Sequence, residues 1–245
     1  SPSTKSSIMV VVVLKPTMIH AFILCIIAPI YIRVALALSV PQKKIFCFGD
    51  SLTAGSSPPL SQDFPYAPHL EQKLRNNYAY GCGSAMVRFK GYPGWTTKTL
   101  FEGGGLGSTL DKVESAAGKV DLAIILAGTN DLAYDSDADS IFNTLRKIHG
   151  VEHSRQIKTI AVGIPPSAWQ QQSSVAREVA GKVNAKLQEM NTNDGGLSAF
   201  VPFPITDFDR SSGYWCSDGL HFSPEGYRFL GESLAPVVAN ALGCK

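Results

Sequence analysis

Ile45-Phe46-Cys47-Phe48, an unbroken apolar run, passes directly into Gly49-Asp50-Ser51-Leu52. The run has the length and composition of a strand buried on both faces, and the residues after it are turn formers. A serine is thereby set at the tip of the first strand of a globular domain. In an open α/β sheet that is where ligands bind, just outside the carboxyl ends of the strands. Taken alone, such a serine is an ordinary turn residue. Near the other end of the chain, however, Asp218-Gly219-Leu220-His221 supplies a carboxylate and an imidazole three residues apart, close enough for one loop to hold both. Serine, histidine and carboxylate are the three members of a nucleophile–base–orienter relay.

Outward from that first run, strand and helix signals alternate. Phe64–Asn77 has helical spacing (Tyr66, Leu70, Leu74), and Ala85–Lys90 reads as a short strand ending at Gly91-Tyr92-Pro93-Gly94. Leu106–Ala117 predicts a helix, and Leu122–Leu126 a doubly buried strand that ends at Gly128-Thr129-Asn130-Asp131. Asp139–His149 carries a helical stripe at Ile141, Leu145 and Ile148. Thr159–Ile164 and Phe200–Phe203 are the fourth and fifth strands, separated by a helix over Ser174–Asn191. The last helix starts with Ser223 as N-cap and Pro224 in its first turn, and Pro236 is expected to kink or split it. The alternation implies a parallel sheet covered by helices on both faces, in one domain without internal repeats.

Composition narrows the function classes. The chain has 245 residues, 44% hydrophobic and 17% charged, with a formal net charge of +2. No Lys/Arg cluster stands out, which argues against nucleic acid as a partner. The five cysteines form no C-x-x-C pair and no H-E-x-x-H occurs, so neither a metal site nor a cofactor is expected. Residues 1–40 read differently from the rest. Lys5 and Lys15 precede a nearly apolar stretch from Met18 to Val40, and Ala35-Leu36-Ala37 offers a small-x-small cleavage site. That pattern describes a secretory signal peptide, placing the mature domain, residues 41–245, in the secretory pathway or outside the cell. A retained membrane anchor over residues 18–40 is the alternative, and a true start at Met18 is a third reading.

Four segments stand in order, each after the expected strand or loop: Phe48 to Gly55, Gly91 to Thr97, Gly128 to Asp131 and Asp218 to His221. Together they resemble the SGNH hydrolases, also called the GDSL family of lipases and esterases, over about Lys44 to Gly243. The resemblance implies a three-layer α/β/α sandwich with a five-stranded parallel sheet in flavodoxin-like order. It implies a monomeric ester hydrolase acting on a small-molecule ester or an acetylated glycan through an acyl-serine intermediate. Ser51 is then the nucleophile, His221 the general base and Asp218 its orienting acid. The oxyanion hole would be the backbone N–H of Ser51, the amide of Asn130 and one glycine of the second segment, Gly91 or Gly94. The family pattern favours Gly94. Asp50 is expected to hydrogen-bond inside its own turn. Tyr92, Trp95, Pro166, Trp169 and Trp215 flank the rim as candidates for lining an acyl or alcohol pocket.

The same resemblance leaves open an acyltransferase, lysophospholipase or thioesterase with the same triad, and a catalytically inactive carbohydrate-binding module. In the implied architecture Cys82 and Cys244 both fall at the edge away from the site, so any disulfide is expected to join them. Cys47 is then a packed thiol in the first strand, and Cys216 lies near the catalytic loop. The short, Pro-containing loop Thr53–Asp63 offers no lid, which points to short acyl chains.

Overall fold

A computed structural model of the chain describes residues 42–103, 105–134, 137–193 and 197–245. The expected leader or anchor, residues 1–40, lies outside the described residues. The strands are β1 (Lys44–Gly49), β2 (Met86–Gly91), β3 (Leu122–Leu126), β4 (Lys158–Val162) and β5 (Ala199–Val201). They form one sheet in the order β2-β1-β3-β4-β5, and every neighbouring pair is parallel. This is the flavodoxin-like order, in which the chain reverses direction across the sheet between β1 and β3 and leaves a crevice there.

The helices are α1 (Ser51–Ala54), α2 (Ala67–Asn77), α3 (Thr97–Glu102), α4 (Gly105–Ala117), α5 (Ala138–Ser154), α6 (Ala168–Gln172), α7 (Ser174–Asn193) and α8 (Pro224–Leu242). The strands build a core on each face because side chains alternate with a period of two. Ile45 and Cys47 of β1 join Leu122 and Ile124 of β3 in a core closed by α2 and α8, through Leu70, Leu74, Leu230 and Leu234. Phe46 and Phe48 join Ala123 and Ile125 in the opposite core, closed by α4, α5 and α7 through Leu110, Ile141 and Val183. Apolar residues at both parities are what made these strands read as continuous runs. Each fully buried Leu, Ile or Phe contributes about 1.5–3 kcal/mol relative to exposure.

Several details differ from the sequence reading; the fourth strand, for one, ends at Val162 and not at Ile164. Helix α8 passes through Pro236 as one element instead of splitting. Pro236 faces solvent, so the Glu232 carbonyl that loses its N–H partner lies on the wet side, while Leu234, Ala235, Val238 and Ala239 hold the inner face. Strand β5 ends at Val201 and not at Phe203, because Pro202 has no N–H to continue the ladder. Helix α5 continues past His149 to Ser154.

Cys82 and Cys244 form a disulfide with Cα atoms 5.6 Å apart. Cys82 lies in the turn Ala79–Cys82 before the start of β2, and Cys244 just beyond the end of α8, so the bridge closes the amino edge of the sheet. Among the described residues no helix is long and apolar enough to cross a membrane.

Candidate active site

Three of the four segments meet at the carboxyl ends of β1, β2 and β3, as parallel strands require. The Asp218–His221 loop reaches them from beyond β5. After β1 the chain makes a single helical turn, α1. Asp50 caps it: its Oδ1 accepts from the Leu52 N–H at 2.9 Å, and its carbonyl accepts from Thr53 and Ala54. Ser51 is therefore the first residue of a helix, where a backbone N–H has no intrahelical acceptor. Asp50 itself is buried, and its Oδ2 has no partner among the described residues. Burial pushes its carboxyl up to about 7, opposed by the Leu52 N–H and reinforced by the charge of Asp131. Asp50 thus shapes the turn, as its place in the sequence suggested.

The Ser51 hydroxyl faces His221. Its Oγ lies 2.9 Å from His221 Nε2, and His221 Nδ1 lies 2.7 Å from Asp218 Oδ2. The other oxygen of Asp218 accepts from the backbone N–H groups of Leu220 and His221, both at 3.0 Å. Burial opposes ionisation of Asp218, but these hydrogen bonds outweigh it and hold the carboxyl below its usual range. An ionised Asp218 accepts from Nδ1–H and so leaves Nε2 of a neutral imidazole free to accept the Ser51 proton.

The loop that carries the pair is braced on several sides. The Cys216 N–H donates to the His221 carbonyl at 2.8 Å, and Trp215 bridges Phe222 as an isolated antiparallel pair. The Gly219 carbonyl accepts from the Ala168 N–H at 2.9 Å. Gly219 has φ +68°, and a Cβ there would come within 2.6 Å of the Ala168 side chain. Only glycine fits between the acid and the imidazole at this approach. Cys216 lies in this loop, with Sγ 3.3 Å from Ser57 Oγ.

The second and third segments are tied to each other. Asn130, at the start of a 3₁₀ turn after β3, donates one amide hydrogen to the Trp95 carbonyl at 2.9 Å. Buried Asp131 accepts from the Thr97 N–H and, at 2.6 Å, from the Thr97 hydroxyl. The role of Asp131 was missed in the sequence, where it read as the last letter of a turn. Its only signal was a threonine two residues after Trp95 that needed an acceptor. The two candidate glycines separate clearly. A Cβ on Gly91 would come within 2.2 Å of the Ala54 backbone nitrogen, so this glycine lets β2 pack against α1. Gly94, with φ +79°, has nothing within 4 Å of its Cβ direction and lines the same cleft as Ser51, Asn130 and His221.

That cleft has a volume of about 360 Å³, and its far wall is the loop carrying Ser57, Pro58, Leu60 and Asp63. A larger cleft of about 420 Å³ lies between α2 and β2 but holds none of the predicted site residues, so chemistry assigns the site to the smaller one. Of the five proposed lining residues none lines the Ser51 cleft. Tyr92 and Trp95 stack on each other at 4.4 Å, and Tyr92 is held by Thr109. Trp215 is buried between Phe208 and Phe222, Pro166 lines a different cleft, and Trp169 is half exposed on α6. Among the described residues no three His, Cys, Asp or Glu side chains are grouped to hold a metal ion.

The model of the GDSL-like Lipase/Acylhydrolase family matches residues 47–229. No curated protein sequence matches the chain. Solved structures with the same fold include the lipase/acylhydrolase from Enterococcus faecalis, 19% identical, with a TM-score of 0.58 over 83% of this chain and 98% of that one. A carbohydrate acetylesterase family member from Sinorhizobium meliloti is 19% identical, with a TM-score of 0.60 over 82% of this chain and 100% of its own. The native aryl esterase of M. smegmatis is 21% identical, with a TM-score of 0.60 over 82% and 100%.

Proposed function

The chain belongs to the GDSL-like lipase/acylhydrolase family, and from that premise we propose that it is a serine esterase of short-chain acyl or acetyl esters. The observation that carries the reading is the unbroken chain of hydrogen bonds from Ser51 Oγ through His221 to Asp218 at the edge of the cleft. Ser51 Oγ attacks the ester carbonyl as His221 Nε2 takes its proton, and Asp218 stabilises the imidazolium. The tetrahedral oxyanion is met by the N–H groups of Ser51 and Gly94 and by the second amide hydrogen of Asn130. Collapse breaks the bond to the alcohol, which leaves with the proton from His221. Water, deprotonated by the same imidazole, then releases the acid from Ser51.

The wall of Ser57, Pro58, Leu60 and Asp63 supports a small, partly polar ester over a long-chain lipid. A disulfide supports residence in an oxidising compartment, in keeping with a secretory leader. The test is labelling by a fluorophosphonate probe together with p-nitrophenyl acetate turnover. We expect both for the wild type and neither for Ser51→Ala. Turnover by folded Ser51→Ala above a tenth of wild type would overturn the reading.

A further inference from the structure

The 2.9 Å bond between Ser51 and His221 joins positions 170 residues apart in the chain. The two turns must therefore be held at that separation before substrate arrives. On the side of the nucleophile, the Ser51 carbonyl accepts from the N–H groups of Gly55 and Ser56, which fixes the chain as far as Ser57. Ser57 is buried, and its Oγ donates to the Phe222 carbonyl at 2.9 Å. Phe222 follows His221 directly and is itself fully buried. Among the described residues, the hydrogen bonds that join residues 51–64 to residues 216–222, apart from Ser51–His221 itself, all run through the Ser57 hydroxyl.

Three bonds fix the backbone around the imidazole. The His221 N–H donates to Asp218 Oδ1, its carbonyl accepts from the Cys216 N–H, and the next carbonyl accepts from Ser57. The first two lie within the catalytic loop and would travel with it. The third ties that loop to the segment carrying the nucleophile. The Cys216 thiol also approaches the Phe222 carbonyl, at 3.2 Å, but S–H is the weaker donor. Ser57 is braced in turn, because the buried Tyr227 of α8 donates its hydroxyl to the Ser56 carbonyl at 2.8 Å. Although Ser57 lines the Ser51 cleft, its one hydroxyl hydrogen is committed to Phe222 and is not free for a substrate. We infer that Ser57 is a positioning residue: through the Phe222 carbonyl it holds the His221 imidazole at bonding distance from Ser51 Oγ. Its consequence for turnover rests on the esterase reading; its effect on the ring does not. An imidazole set slightly too far away takes the Ser51 proton less readily in acylation, and the proton of water less readily in deacylation.

The test compares wild type, Ser57→Ala and Ser51→Ala in the whole protein. Ser57→Ala keeps the Cβ, and the Cys216 thiol remains to meet the Phe222 carbonyl, so the variant should fold. On p-nitrophenyl acetate its kcat should fall about ten- to a hundredfold, the loss expected of a small misplacement, with KM within about twofold. A fluorophosphonate should still label every molecule of this variant, with a rate constant reduced in proportion to kcat. A role in folding alone would instead leave fewer sites labelled at the wild-type rate. The ring is read directly by nitrogen NMR of the His221 imidazole at fixed pH. Ser51→Ala gives the Nε2 resonance without its hydroxyl partner, and Ser57→Ala should move the wild-type resonance towards that value. An unmoved Nε2 resonance in folded Ser57→Ala, or kcat within about twofold of wild type, overturns the positioning role. A wild type that neither labels nor turns over ester would refute the esterase reading, and the Nε2 resonance would still decide the role of Ser57.

Discussion

Asn130 has two amide hydrogens and gives one to the Trp95 carbonyl, which fixes the direction of the other. The side chain is thus held before any substrate arrives, which is the condition for a donor to favour the transition state over the ground state. Asn130→Ala is expected to lower kcat by about 10²–10³ with little change in KM, measured on p-nitrophenyl acetate. Asp218 makes a different prediction. Its carboxyl is held below the usual range, so its contribution is complete above the ordinary carboxylate range and is lost as pH falls through the depressed value. Asp218→Asn should cost far more at neutral pH, about 10³–10⁴ in kcat, because an amide that presents N–H to Nδ1 selects the wrong tautomer. A loss of under tenfold would remove Asp218 from the relay. Ser51, Asp218 and His221 were legible as a set: singly the serine and the aspartate suit a turn, but together with the imidazole they are the parts of one relay, and they stand within hydrogen-bond distance of one another. Asp131 was not legible, since a buried acceptor for a distant loop leaves no local spacing to read.

At the scale of elements, legibility followed length. Strands β1 and β3 announced themselves as apolar runs, but α3 and α6 are only six and five residues long and show no periodicity. Their caps were the available signal: Thr96 accepts from the Thr99 N–H, and Ser167 from the Gln170 N–H in an S-x-x-Q pattern. Helix α5 was cut short for another reason. His149 and Glu152 occupy its core-facing stripe, fully buried, with no hydrogen-bond partner for either side chain among the described residues. Burial pushes the Glu152 carboxyl up to about 8, against the pull of Arg155, and drives His149 down to about 3. The signs are opposite in pH. His149 must stay neutral, so stability falls as pH drops below 6.5, its ordinary value. Glu152 keeps its proton when folded and loses it when unfolded, so stability falls as pH rises from 4.5 towards about 8. Glu152→Gln should therefore flatten the alkaline side of a melting-temperature profile, with its advantage over wild type growing from about pH 5 to about pH 8. An advantage independent of pH would contradict this. The disulfide belongs to the same scale. Cys82→Ser with Cys244→Ser should cost about 2–4 kcal/mol in denaturant unfolding while kcat/KM stays unchanged, because the bridge closes the edge of the sheet away from Ser51.

For the molecule as a whole, a parallel sheet with helices on both faces followed from the strand and helix patterns. The strand order did not; it came from resemblance, because contacts between distant strands leave no mark on local periodicity. Nor could sequence say which aromatic residues line the cleft. Those five side chains went to packing, to another cleft or to open surface, and the wall fell instead to the loop with Ser57, Pro58, Leu60 and Asp63. That wall decides acyl preference. Each methylene buried against protein is worth about 0.8 kcal/mol, so extending butyryl by four carbons would gain about 3 kcal/mol in a fitted apolar tunnel. Here the apolar groups near Ser51 are Pro58, Leu60 and Pro93, and Leu60 is itself 51% exposed. Ser56, Ser61 and Asp63 stand among them and would lose hydration against a long alkyl chain without gaining a partner. The methylenes beyond the first few therefore stay in water and add freedom that must be frozen for attack. In a series of p-nitrophenyl esters, kcat/KM should be highest from acetyl to butyryl and fall by acyl chains of about eight carbons. An optimum at lauroyl or palmitoyl would mean that the loop from Ser56 to Asp63 moves aside to open an apolar channel, and would turn the reading towards a lipase.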